Sequence, residues 1–237
     1  MTARARPVAI LVTCEHGGND VPSRYRSLFA RHAAALASHR GHDIGSLTVA
    51  RDLARSHDAH LIAATTTRLL VDLNRSIGHP RLFSTVSRRL ATQERERILD
   101  EQYRPYRIAV EALVRSLVTT GHRVVHVSSH SFTARLNGTV RDADIGLLYD
   151  PARQWERTIC SRWQDAFEQT APDLRVRRNY PYRGTADGLT TALRRLFPTA
   201  DYAGIELEIN QRYPLGDAAA WRRLRRHITK TLADSID

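Results

Sequence analysis

The 237-residue sequence predicts a single α/β domain: a mostly parallel or mixed sheet with helices on both faces. Three observations carry that expectation. Short apolar runs such as VAILVT (8–13) end in turn-forming residues, as buried parallel strands do. Between them lie longer stretches whose apolar residues recur at helical spacing. The alternation continues along the chain without a repeat, a low-complexity tract or a linker, so one domain over residues 1–237 is expected. A chain of this length can bury a substantial core.

The elements follow in order. Residues 8–13 form a strand bounded by Gly17-Gly18. Residues 23–38 and 44–56 read as helices; Gly41 follows the first, and Leu47, Ala50, Leu53 and Ala54 line the second. Residues 60–64 and 68–73 read as strands separated by a threonine-rich bend. Residues 92–119 are mostly helical, interrupted at Pro105, with a stripe of Tyr106, Val110, Leu113, Val114 and Leu117 ended by Gly121. Strands are expected at 123–129, 144–149, 174–177 and 202–209, and helices at 154–169 and 218–233.

Composition narrows the function classes. The formal net charge is +11, yet Lys230 is the only lysine, so the positive charge is almost wholly arginine. Its pairs, such as Arg88-Arg89 and Arg225-Arg226, lack aromatic interleaving or a nucleic-acid motif and read as solvated helix faces. A positive field still favours an anionic small-molecule substrate, and no nucleic-acid partner is expected. Cys14 and Cys160 cannot form a disulfide framework, which suits a reducing cytosol. No run approaches the ~18 apolar residues of a membrane span, and the apolar run at 8–12 is too short for a signal peptide. A cytoplasmic protein is expected, with no membrane partner.

Several strand ends carry chemistry. His16 leaves the first strand into a Gly-rich turn, and His130 follows the strand at 123–129. Both belong at the carboxyl edge of the sheet, where open α/β folds place ligands. Two such histidines suggest a metal site, which needs a third protein ligand and an open position. Glu15, Asp20 and Asp43 are the acids available, although Glu15 should point away from its neighbour His16 on an extended chain. VDLNR (71–75), preceded by Arg68, offers Asn74 and Arg75, and NYPYRG (179–184) offers Asn179 and Arg183. Arginine forks suit carboxylates and developing oxyanions. Glu206 and Glu208 share one face of the strand in GIELEINQRY (204–213).

CEHGG, HDIG, RLLVDLNR, SHSF, DIGLLYD, NYPYRG and ELEINQ, in this order over residues 14–211, resemble the N-formylglutamate amidohydrolase family. That family is similar in turn to zinc carboxypeptidases and aspartoacylase-type deacylases. The resemblance implies a zinc-exopeptidase-like α/β fold and hydrolysis of the amide of an N-acyl amino acid such as N-formylglutamate. It implies one zinc per chain, with His16, Asp43 and His130 as ligands. The relatives' His-x-x-Glu pair is absent, because Asn19 stands three after His16. It further implies Glu208 as the base, with Glu206 as the alternative, and Arg68, Asn74, Arg75, Asn179 and Arg183 as substrate-binding residues. Two competing readings remain: a thiol hydrolase using Cys14, and a non-catalytic or arginine-rich binding protein.

Overall fold

Along a strand, alternate side chains face opposite sides of the sheet, and this period sorts the core into two layers. A computed structural model describes residues 6–236. In chain order its elements are β1 (Val8–Cys14), α1 (Arg26–Phe29), α2 (Ala33–Leu36), α3 (Ser46–Ser56), β2 (His60–Ala63), α4 (Thr92–Ile98), α5 (Arg104–Thr119), β3 (Arg123–Phe132) and the small hairpin β4 (Arg135–Leu136) and β5 (Thr139–Val140). There follow β6 (Ile145–Leu148), α6 (Gln154–Thr170), β7 (Val176–Arg178), α7 (Leu189–Leu196), β8 (Tyr202–Asn210) and α8 (Ala218–Ile236). Six strands form one sheet in the order β2-β1-β3-β8-β6-β7. Strands β2, β1, β3 and β8 run parallel, β6 is antiparallel to β8, and β7 is parallel to β6. The sheet is therefore mixed but mostly parallel, with helices on both faces as the alternation predicts.

One face carries Val12, Val125, Val127, Ile205 and Leu207 against α3, α6 and α8, through Leu53, Trp163, Phe167, Leu224 and Ile228. The opposite face carries Leu11, Val124 and Tyr202 against α5 and α7, through Tyr106, Val110, Val114, Leu189 and Leu193. Val110 and Val114 are fully buried, each a contribution of ~1.5–3 kcal/mol. Residues 69–73 (LLVDL) also cover this second face.

Four expectations are corrected. Residues 68–73 are not a strand: they run as turns and irregular backbone, packing Leu69, Leu70, Val71 and Leu73 by burial rather than by sheet pairing. The helix expected at 23–38 breaks into a 3-10 turn (Ser23–Tyr25) and the short α1 and α2. The interruption in 92–119 is a π-helical turn, Leu99–Tyr103, so Pro105 falls in the first turn of α5, where its missing N–H costs nothing. His130 does not follow β3 but lies within it, because pairing with β8 continues to Phe132↔Asn210.

Candidate active site

The register of the parallel strands assembles the site. Thr13 of β1 pairs with Ser128 of β3, which pairs with Glu206 of β8. Two residues further on, His130 pairs with Glu208, and Glu15, just past β1, reaches His130 from the other side. Period two thus aligns Glu15, His130 and Glu208 on one face at the carboxyl edge of the sheet. The loop after β1 brings His16 to the same edge, and the turn before α3 brings Asp43, whose N–H bonds the His16 carbonyl at 2.9 Å.

His16, Asp43 and His130 are buried, and their ligand-capable atoms lie within 4.8 Å of one another. The inner nitrogens both face one oxygen, Asp43 Oδ2: His16 Nδ1 at 3.4 Å and His130 Nδ1 at 2.9 Å. Zinc bonds of ~2.0–2.1 Å at tetrahedral angles imply ligand separations of roughly 3.4 Å, so this donor set suits such an ion. The outer nitrogens each meet a carboxylate, His16 Nε2 at 2.7 Å from Asp72 Oδ1 and His130 Nε2 at 3.0 Å from Glu15 Oε2. A metal-binding histidine characteristically has its other nitrogen held in this way.

Charge compensation is local. Arg68 donates to Asp43 Oδ1 at 3.1 Å and to Asp72 Oδ2 at 2.7 Å. Burial pushes the Asp72 carboxyl up, but Arg68 and His16 outweigh it and hold the group well below the usual range. Burial would also raise Asp43, which His16, His130 and Arg68 hold low. Burial and Arg68 lower the affinity of His16 for a proton, yet Asp72 and Asp43 leave it raised. For His130, burial is overcome by hydrogen bonds to Asp43 and Glu15.

A cavity of about 440 Å³ opens over the cluster, a size suited to a small molecule. Asn74, Arg75, Arg183, Glu206 and Glu208 also line it. Glu208 Oε2 is buried without a hydrogen-bond partner, and burial pushes the carboxyl up to about 8, Asp43 and Glu206 adding to the rise while His130 and Arg68 oppose it. Arg75 donates to the Asp187 carbonyl, and its Nε is buried without a partner. Glu206 Oε1 accepts from Thr190 Oγ1 at 3.0 Å. Gly188 packs closely beside it: a Cβ there would stand 2.9 Å from Glu206 Oε1 and 3.0 Å from Asn74 Oδ1, so a larger residue would shift those side-chain ends.

Residues 8–214 match the sequence profile of N-formylglutamate amidohydrolases. The chain belongs to the N-formylglutamate amidohydrolase family. Among solved structures, it is similar to the Atu2144 gene product of Agrobacterium tumefaciens, with 28% identity, 94% of this chain and 90% of that chain covered, and a TM-score of 0.78. It also shares its fold with the N-formylglutamate amidohydrolase of Ralstonia eutropha JMP134, at 18% identity, 96% and 92% coverage and a TM-score of 0.71. No protein with a curated function matched the sequence.

Within this amidohydrolase-family site, some expected residues are brought together and others are not. His16, Asp43, Arg68, Asn74, Arg75, His130, Arg183 and Glu208 all line the one cavity. Asn179 does not: its side-chain oxygen accepts from the N–H groups of Tyr149 (3.1 Å) and Gly184 (2.9 Å), bracing the loop that carries Arg183. Arg68 lines the cavity, but two of its nitrogens are taken by Asp43 and Asp72. Asp20 is exposed and outside the cavity. Cys14 faces the α3 layer, 3.2 Å from Ser46 Oγ, and burial raises its thiol to about 12, which suits a core residue rather than a nucleophile. His79, Arg81, Ser131, Tyr182 and Asp187 also line the cavity; Ser131 and Tyr182 lie inside SHSF and NYPYRG without having been singled out, and His79, Arg81 and Asp187 fall outside every motif. No helix among the described residues is long and apolar enough to cross a membrane.

Proposed function

We propose that this chain is a zinc-dependent amidohydrolase that cleaves an anionic N-acyl amino acid, with N-formylglutamate as the leading candidate. The observation that carries the reading is the convergence of His16 Nδ1, Asp43 Oδ2 and His130 Nδ1 beneath a cavity whose wall also carries Glu208, Arg75 and Arg183. When bound by these three residues, the ion supplies Lewis acidity to water and to the substrate carbonyl.

The chain's own groups supply the rest. Arg75 and Arg183 grip the substrate's carboxylates, and Asn74 offers an amide N–H while its oxygen is fixed by the Leu189 N–H at 2.6 Å. Glu208, on the cavity wall, accepts the proton of the attacking water and returns it to the departing nitrogen. Water thereby adds to the acyl carbon, the C–N bond breaks, and a free amino acid and a carboxylic acid leave. Beside a dication the Glu208 carboxyl would ionise near neutrality, as a base requires.

Metal analysis joined to a hydrolysis screen of N-formyl, N-acetyl and larger N-acyl amino acids tests the reading. About one zinc per chain and turnover of at least one acidic N-acyl substrate are expected. Full metal occupancy in both His16→Ala and His130→Ala would remove the proposed site. The two buried, unpaired cysteines fit a reducing compartment such as the cytoplasm.

A further inference from the structure

We propose that Glu15 is a positioning residue: its buried carboxylate takes the Nε2 hydrogen of His130 and so leaves Nδ1 free to bind a metal. The inference rests on the metal reading above and concerns how the chain fixes one ligand's tautomer.

Glu15 is completely buried at the sheet edge. Tyr106 OH donates to its Oε1 at 2.9 Å and Ser128 Oγ to its Oε2 at 2.6 Å, while His130 Nε2 stands 3.0 Å from Oε2. An ionised carboxylate only accepts, so each of these neighbours must donate. Ser128 commits its single hydrogen to Glu15; its oxygen, 2.9 Å from His130 Nε2, can then only accept from the ring. Two acceptors therefore converge on Nε2 and require a hydrogen there.

Asn74 opposes this arrangement. Its oxygen is held by the Leu189 N–H, which turns Nδ2 toward the same ring nitrogen at 3.3 Å. Were Asn74 the stronger neighbour, Nε2 would accept from it and a neutral ring would carry its hydrogen on Nδ1. Asp43 would take that hydrogen, and the metal-binding lone pair would be lost. Distance and charge decide the contest. The carboxylate is closer than the amide, and a hydrogen bond to an ionised acceptor is about twice as strong as a neutral one. His16 is served separately, by Asp72, which shares its charge with Arg68. Glu15 has no counterpart of Arg68 among its hydrogen-bond partners; hydroxyls and His130 surround it.

The test is Zn²⁺ affinity of the full-length chain by competition with a chromophoric chelator, measured on wild type and Glu15→Gln beside melting curves of the metal-free proteins. Glutamine keeps the size but removes the charge, so a loss of about 10–100-fold in affinity of the folded protein is expected. Normal affinity in folded Glu15→Gln, even with a lowered melting point, would assign Glu15 to packing alone and overturn the proposal. If wild type itself shows no zinc binding that depends on His16 and His130, the metal reading fails first and this inference with it. A second measurement needs no variant. Long-range ¹H–¹⁵N correlation spectra of zinc-loaded wild type should show His130 protonated at Nε2 and metal-bound at Nδ1, and a hydrogen on Nδ1 would overturn the proposal.

Discussion

Glu208→Gln should separate activity from stability in opposite directions. In the metal-free protein the Glu208 carboxyl is raised from 4.5 to about 8, with burial the largest cause. The unfolded chain ionises near 4.5, so stability is greatest below that value and is lost as pH rises from there toward 8. At pH 7 the accumulated loss is roughly 3 kcal/mol. Glutamine cannot ionise, so it carries no such loss. Metal-free Glu208→Gln is therefore expected to be more stable than wild type at pH 7, by up to roughly 3 kcal/mol, with no advantage at pH 4. Removing the base should lower turnover per bound zinc by ~10²–10⁴-fold, or about 3 to 5 kcal/mol of barrier. Chemical denaturation at the two pH values and steady-state kinetics read both effects. A variant that unfolds more easily at pH 7, or that keeps wild-type turnover per zinc, would refute the reasoning. Collapse in Glu206→Gln with normal Glu208→Gln would move the base to Glu206.

Three further outcomes follow from the same geometry. Alkylating reagents should leave activity of the folded protein unchanged, because Cys14 and Cys160 are buried and their thiols raised; inactivation that substrate protects against would restore the thiol reading. Arg183→Ala, on the cavity wall, should raise KM about tenfold or more for an acidic substrate with little change in kcat, as loss of a uniform binding contact does; an unchanged KM would place the substrate carboxylate elsewhere. Burial lowers His126 to about 4, where its ring bridges Thr13 Oγ1 (2.8 Å) and Tyr202 OH (2.7 Å). Its native pKa is depressed, so its contribution is full above the unfolded value near 6.5 and is lost as pH falls toward 4, by roughly 3 kcal/mol. The stability difference between wild type and His126→Asn should shrink over that window, and a difference independent of pH would contradict the assignment.

Much of the site was legible because strand periodicity carries long-range information. Val8 to Thr13 reads as a buried strand whatever follows, and so fixes where His16 must emerge. The spacing of Glu206 and Glu208 likewise puts both on one face before any partner strand is known. The contacts that failed to show are those set by register or by irregular backbone. Glu15 points away from His16, as an extended chain requires, but only the pairing of Thr13 with Ser128 reveals that it points at His130. Asp72 reads as a salt-bridged strand end, and it does pair with Arg68; its bond to His16 depends on residues 68–73 running as turns and irregular backbone rather than as a strand, which their apolar composition disguises. Asn179 in NYPYRG gives no sign that its side chain is consumed by the backbone N–H groups of Tyr149 and Gly184. Its φ of 52° marks a backbone-organising position that sequence alone does not report.

The buried charges explain why so polar a cluster can sit beside the main core. Glu15, Asp43 and Asp72 are three ionised carboxylates at 5% exposure or less. Isolated, each would be too costly to bury. Arg68 neutralises one, and two protons carried by His16 and His130, whose proton affinities Asp72, Asp43 and Glu15 raise, would neutralise the others in a metal-free site. A dication displacing those two protons would leave the net charge of the cluster unchanged. The sheet edge therefore need not rearrange its electrostatics between the two forms, because the two protons occupy the role the ion would take. Glu208 stands outside this balance: its Oε2 is buried without a hydrogen-bond partner, and burial raises its carboxyl. Its position over an otherwise compensated cluster suits a group that must gain and lose a proton during turnover.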